Sequence, residues 1–250
     1  MSKVFKNVGI IILAAGKGTR LDCDSVPKVL LPIGGRPIVS YVLSELEKGG
    51  VPKEQITLVV GYKAEKVKKE FGPEYNYALQ TEQLGTAHAT HTGEQAMPKN
   101  LDTILEIQGD DSAFYKFASL EKFVRDHKEN KNDFSFLGSV VEDPSELGRI
   151  IKNKDGDVVA IKEKEQVNSE EAKIKEVVIG TYCFKREWFR EHYKNLKNIP
   201  GLEELILPSF VEEAVKTNSK FQVIKLDDPD EWFGINTKEQ LEEADKRKTE

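Results

Sequence analysis

The sequence is poor in cysteine, tryptophan and methionine, with two of each in 250 residues. Cys23 and Cys183 stand far apart and outside any CxxC spacing, which excludes a disulfide-stapled scaffold and offers no zinc framework. They read as the reduced thiols of a cytoplasmic protein. Long apolar runs are also missing. No stretch approaches the roughly 20 residues of a membrane-spanning helix, so no membrane partner is expected. Residues 1–8 are too charged, and the apolar run after them too short, for a secretory leader. Positive charge is not in excess either: 37 Lys and Arg face 43 Asp and Glu, for a net charge of −6. That balance leaves no general footprint for nucleic acid, so a polyanionic ligand must meet locally gathered cations.

What is present is an alternation. Val8–Ala15 reads as a strand buried on both faces, and Ile38–Lys48 carries apolar residues at helical spacing up to Gly49-Gly50. Strands are expected at 55–60, 75–79 and 103–108, with helices at 64–71 and 85–97 between them. Strand and helix alternating over short connections imply an α/β protein with a doubly wound, mostly parallel sheet. Beyond 110 the pattern loosens: a helix at 120–127, strands at 134–141 and 177–184, a hairpin over 150–162 turning at Asp155-Gly156, and helices at 202–216 and 237–246. No repeat or low-complexity linker divides the chain, so one continuous domain with a lid-like extension is expected. Trp188, Phe189 and Tyr193 read as the buried face of a helix, and His88 and His91 as packing or surface residues.

The segment LAAGKGTRL (Leu13–Leu21) follows the first strand. It lacks the third glycine of a dinucleotide fingerprint and the lysine-hydroxyl pair of a P-loop. It is nonetheless a long loop at the carboxyl edge of a buried strand, where open α/β sheets bind ligands. Glycine amides can approach phosphate oxygens closely there, and Lys17, Arg20 and Lys28 supply the charge. Asp110 reads equally as a turn residue closing a strand or as a metal ligand. Gln80–Gln83 reads equally as a polar loop before a helix capped by Thr86 or as a recognition segment.

LAAGKGTRL, followed by PKVLLP (Pro27–Pro32) and Gly35-Arg36-Pro37, resembles the signature of the sugar-1-phosphate nucleotidyltransferases. Within that family, LQTEQLGTAHA (Leu79–Ala89) is similar to the uridylyltransferase domain that makes UDP-N-acetylglucosamine. Further landmarks fall in order at Gly109-Asp110, Leu147–Ile150, Ile161–Lys164 and Gly234–Thr237, so the resemblance spans about 8–244. The resemblance does not extend to the acetyltransferase repeats that follow this domain in bifunctional relatives, and no acetyl transfer is expected.

The resemblance implies a Rossmann-like nucleotidyltransferase fold with a β-rich sugar-binding extension. A nucleotide-binding half is expected over about 1–110, a sugar-binding half over 111–236 and a C-terminal helix over 237–250. The implied partners are UTP or dTTP and a sugar 1-phosphate, with N-acetylglucosamine 1-phosphate ranked ahead of glucose 1-phosphate and Mg²⁺ as cofactor. Arg20 and Lys17 would hold the triphosphate, and Lys28 would bridge the α-phosphate and the incoming phosphate. Leu13, Ala14, Ala15, Gly16, Gly18 and Thr19, with Gln80, Gly85 and Thr86, would bind the nucleotide. Gly148 and Glu163 would bind the sugar, and Asp110 and Asn236, the latter in a strand-like segment, would hold the metal. Two departures stand out. Val178 occupies the place of a sugar-contacting asparagine, and Asp111 that of a residue usually apolar. Cytidylyltransferases of polyol or choline phosphates share the glycine loop and Pro-Lys pair but not the sugar-side landmarks. A non-catalytic sensor of nucleotide sugars would be expected to lose Arg20, Lys28, Asp110 or Asn236, and all four are present.

Overall fold

The computed structural model describes residues 2–18, 21, 25–198 and 203–250. Strand β1 (Val8–Ala14) carries isoleucine at three successive positions, and a strand so apolar on both faces needs cover on both. Ile10 and Ile12 pack with Val39, Val42 and Leu46 of α1 (Ile38–Lys48), whereas Ile11 belongs to the opposite cluster with Ala87 and Ala89 of α3 (Thr86–Ala96). Each fully buried side chain of this size contributes roughly 1.5–3 kcal/mol. Strand β1 is therefore the axis on which both layers are built.

β2 (Pro32–Ile33) and β3 (Arg36–Pro37) form a small ribbon ahead of α1. β4 (Ile56–Val60), α2 (Ala64–Phe71), β5 (Asn76–Leu79) and β6 (Thr103–Gln108) complete the parallel half, with β6, β1, β4 and β5 side by side. After α4 (Phe117–Glu129) and β7 (Phe134–Val140) comes the hairpin of β8 (Arg149–Lys152) and β9 (Val158–Lys162), with Asp155-Gly156 at its turn as expected. β10 (Glu176–Lys185) then runs antiparallel between β6 and β7. α5 (Arg186–Tyr193), α6 (Ser209–Thr217), β11 (Phe221–Lys225) and α7 (Lys238–Thr249) follow, β11 lying parallel to β7 at the sheet edge. The expected α/β architecture with a β-rich extension is observed.

β10 serves two neighbours in turn. Residues 181–185 pair with β6, but Val177 pairs with Arg149 of β8, and the register slips between Val178 and Tyr182. The sheet therefore forks beyond the end of β6.

Two expectations need correction, and one strand was not foreseen. The helix expected at 202–216 begins at Ser209, after Pro208; among the described residues before it, Leu205 pairs its backbone with Leu84 and Ala87. A chain already committed to that pairing cannot turn helical. Asn236 lies in no strand. Thr237 caps α7, and Gln240 reaches back to the amides of Asn236 (2.7 Å) and Thr237 (3.1 Å), a reciprocal capping box that fixes Asn236 one residue ahead of the cap. Strand β11 was not anticipated, because only Ile224 among its five residues is buried. Trp188 and Phe189 are buried in the core, and Tyr193 packs against it stacked on His91. Cys183 is a free, buried thiol in β10, and Cys23 lies outside the described residues. Among the described residues, no helix is long and apolar enough to cross a membrane.

His127 of α4 is buried with Nδ1 2.9 Å from the Ser135 hydroxyl. Burial first, and then the charges of Lys185 and Lys128, push its pKa down to about 4. The unfolded chain binds the proton near the ordinary value, so this contribution to stability is complete above pH 6.5 and is lost as pH falls through the folded value. The loss approaches about 3 kcal/mol by linkage. His127→Gln is expected to flatten the fall in urea midpoint between pH 7 and pH 4.5; an equally steep fall would remove His127 as the cause.

Candidate active site

The carboxyl ends of β1, β5 and β6 open into a chamber of about 240 Å³ lined by Leu13, Ala15, Gly16, Lys28, Gln80 and Thr86, among others. Ala14 does not join them: its side chain is in the core, as strand alternation requires. Lys28 follows Pro27 in a single 3-10 turn, and its side chain is buried. Gly18 lies over the stem of Lys28 with φ +70°, and a Cβ there would stand 2.9 Å from Lys28 Cβ. Lys17 reaches over the Tyr62 ring, 5.7 Å from its centroid. Thr19 and Arg20 lie outside the described residues.

Gly85 caps α3 with φ +97°, and a Cβ there would come within 2.4 Å of the Leu205 carbonyl oxygen. Only glycine meets both demands. Thr86 does not cap the helix through its side chain; its hydroxyl accepts from the Leu207 amide at 3.0 Å. Gln80 is buried, and its amide nitrogen lies 3.0 Å from His88 Nδ1 and 3.3 Å from the Gly85 carbonyl oxygen. His88 thus orients Gln80 and is more than a packing residue. Its place one helical turn from Gly85, in the segment after Gln80, was the available signal.

A second chamber of about 380 Å³ fills the fork of the sheet. Gly148, Glu163 and Val178 line it together, as do Asp111, Glu204 and Tyr182, which were not anticipated as site residues. Burial, and then the charge of Glu165, raises the Glu163 carboxyl above its ordinary range. Thr86, Gln108 and Glu204 line both chambers, so the two adjoin. Gln108 ends β6 and could have been found from the carboxyl-edge rule. Glu204 had no local signal, because the Leu84–Leu205 pairing brings it there.

The junction is charged. Lys28 Nζ donates to Asp110 Oδ2 and, at 2.9 Å, to Asn236 Oδ1. Asp110 is in place because the Gly109 amide extends the ladder to the Leu13 carbonyl oxygen at 3.0 Å. A carboxylate and an amide oxygen thus already share one cation position. That donor set fits magnesium, which takes one or two protein oxygens and completes its shell from water and phosphate. Asp111 turns towards the fork instead, and its Oδ1 is buried without a hydrogen-bond partner. Burial and the neighbouring Asp110 charge raise its pKa, against the opposing pull of Lys28 and the Ile235 amide. Glu106, two residues before Gln108 in β6, is wholly buried, and burial holds its carboxyl far above the usual range. A wider groove of about 1370 Å³ lies at the opposite edge of the sheet, lined by Lys3, Lys128 and Lys185, and takes in none of these residues.

The family model described as nucleotidyl transferase matches residues 9–250. The bifunctional protein GlmU of Bacillus licheniformis is 34% identical over 238 residues, which cover 94% of this chain and 51% of that protein. The GlmU of Desulfotalea psychrophila is 30% identical over 239 residues, covering 95% of this chain and 69% of the relative. The chain thus spans about half the length of the first relative and more of the second. A crystal structure described as a glucose-1-phosphate thymidylyltransferase from Bacillus anthracis, in complex with a sucrose, superposes with a TM-score of 0.77 at 23% identity over 97% of this chain and 96% of its own. That likeness establishes the fold. With loop, sheet edge and the match over residues 9–250 in agreement, the chain belongs to the nucleotidyl transferase family.

Proposed function

We propose that the protein transfers a uridylyl group from UTP to N-acetylglucosamine 1-phosphate, releasing pyrophosphate. The observation that carries this reading is the position of Lys28, Asp110 and Asn236 where the two chambers adjoin. The similarity to GlmU proteins and the LQTEQLGTAHA segment favour uracil and the acetamido sugar. On this reading residues 1–110 serve the nucleotide, 111–236 the sugar, and the helix over 237–250 secures Asn236.

A sugar phosphate is already an anionic nucleophile, so the reaction needs no general base. One of its oxygens forms a bond to the α-phosphorus while the bond to pyrophosphate breaks. The obstacle is repulsion between anions, which positioned cations and donors relieve. Lys28 donates to the α-phosphate and the incoming phosphate, and Lys17 and Arg20 neutralise the departing pyrophosphate. Gly16 and Gly18 bring backbone amides close to the phosphates. Gln80, oriented by His88, reads the uracil edge, while Glu163 accepts from sugar hydroxyls beside Gly148. Magnesium, held by Asp110 and Asn236, would add Lewis-acid stabilisation of the phosphoryl charge. Crossing four nucleoside triphosphates with a panel of sugar 1-phosphates tests the reading. Pyrophosphate release is expected with UTP only when the sugar phosphate is added; no turnover with any pair would favour a sensor.

Val178 supports a second acceptor, glucose 1-phosphate. Its side chain lines the sugar chamber with hydrocarbon where an amide would offer a hydrogen bond to an acetamido group. The thymidylyltransferase description of the structural neighbour points the same way. A missing buried hydrogen bond costs about 1–3 kcal/mol. The kcat/KM values for the two sugars are therefore expected within about tenfold, with Val178→Asn shifting the ratio towards the acetamido sugar. An unchanged ratio would place the preference elsewhere in the chamber.

A further inference from the structure

Lys28 makes its contacts with the two residues whose oxygens suit a divalent cation. Resting on the reading above, we propose that the Lys28 ammonium is a tethered stand-in for that cation. It holds the Asp110 and Asn236 oxygens in nucleotide-free protein and is exchanged for the metal when the metal–nucleotide complex enters. Three observations converge. Lys28 Nζ bonds Asp110 Oδ2 and Asn236 Oδ1 at once, bridging 82 and 208 residues of sequence separation. Both partners of the ion pair are largely shielded, with side-chain exposures of 10% and 25%. A half-buried carboxylate without a counter-charge is costly, so the metal-free site needs one. The Lys28 stem runs beneath Gly18, and the side chain lines the nucleotide chamber, so an ammonium released from Asp110 is already beside the phosphates.

Exchange follows from the chemistry of the two cations. Magnesium sits about 2.1 Å from its oxygen ligands, so it and an ammonium bonded to the same two oxygens would repel at contact distance. Lysine suits the task because its compact charge rides on four rotatable methylenes with three donors to redirect. Two consequences follow. Free metal must displace an internal competitor, so the nucleotide-free protein binds it weakly. Nucleotide supplies the oxygens that receive the ammonium, so nucleotide and metal reinforce each other's binding by the same factor.

The test is binding of Mn²⁺ alone to the full chain without nucleotide, read by the electron paramagnetic resonance of the free ion. Lys28→Met keeps the stem and removes the competitor; it is expected to bind Mn²⁺ at least about tenfold more tightly than the unaltered protein, although it turns over more slowly. Lys28→Ala should move the same way, giving a second neutral variant with different packing. Lys28→Arg, which keeps a charge, should stay within about threefold of the unaltered protein. Unchanged or weaker binding in both neutral variants overturns the exchange. Equal tightening in Lys28→Arg overturns it too, since lost packing would then be the cause. Asp110→Asn in the Lys28→Met background should abolish the tight binding. If it does not, the metal lies elsewhere, and the metal assignment in the proposed function falls with the exchange. If only the Lys28 comparison fails while binding still depends on Asp110, that assignment stands.

Discussion

Lys28→Ala is expected to lower kcat by about 10²-fold or more at saturating substrates, the range found when one preorganised charge donor is removed. The side chain stands where the two chambers adjoin, and in the proposed reaction its contacts strengthen as charge develops on the transferred phosphorus. Ground-state binding alone would raise KM and leave kcat intact. The discriminating measurement is therefore the split between kcat and KM, with circular dichroism to verify the fold. Arg20→Ala is expected to act in the same direction through the triphosphate. A kcat near normal in Lys28→Ala would remove the mechanism proposed here.

Arg186→Met is expected to lower stability by about 3–5 kcal/mol, the range for breaking a buried ion pair by removing one partner. Arg186 opens α5 under the end of α3. Its guanidinium donates to Glu94 Oε1 at 2.5 Å and to the carbonyl oxygens of Glu94, Met97, Pro98 and Leu101 at 2.6–3.2 Å. One side chain thus answers the Glu94 carbonyl in the last turn of α3 and those of the segment that follows the helix. With methionine in place, the Glu94 carboxylate keeps Arg190 at 2.7 Å but loses its shielded partner. At roughly 2–4 °C per kcal/mol for a chain of this size, the melting temperature should fall by roughly 6–20 °C. Lys173→Met, which breaks an exposed pair with Glu170, should change it by at most a degree or two. Comparable shifts in the two variants would show that burial of Arg186 does not set its contribution.

The parallel half was legible because its strands are short apolar runs and its helices end at glycine or proline: Gly49 after α1, Gly72 after α2 and Pro98 beyond α3. The grouping of the candidate site residues was legible where a motif and the sheet edge coincide. Leu13, Ala15, Gly16 and Gln80 line one chamber with Lys28 and Asp110, and Gly148, Glu163 and Val178 line the other. What escaped depends on long-range pairing. Residues 203–207 look helical beside 209–217, and nothing local signals that Leu205 will bond to Leu84 and carry Glu204 into both chambers. Asn236 sits among apolar neighbours that suggest a strand, but the cap formed by Thr237 and Gln240 decides its conformation. The orientation of Gln80 by His88 is local, yet it became visible only once α3 was wound.

The fork in the sheet bears on how such a protein can change its substrate. Hairpin β8–β9 joins the strands through Val177 and Arg149 and rests on α6 through Ile161, while its turn at Asp155-Gly156 is exposed to solvent. The β1 loop and the Gln80–Thr86 segment lie on the other side of β6, β1 pairing with β6 and the segment bonding to Val60 and Leu205 instead. In the proposed reaction the exposed part of this arm faces the acceptor alone, so changes in length or sequence around its turn are expected to leave donor recognition intact. If the proposed function holds, a library confined to that arm is expected to diversify the acceptor alone, each new acceptor emerging already coupled to the same activated donor.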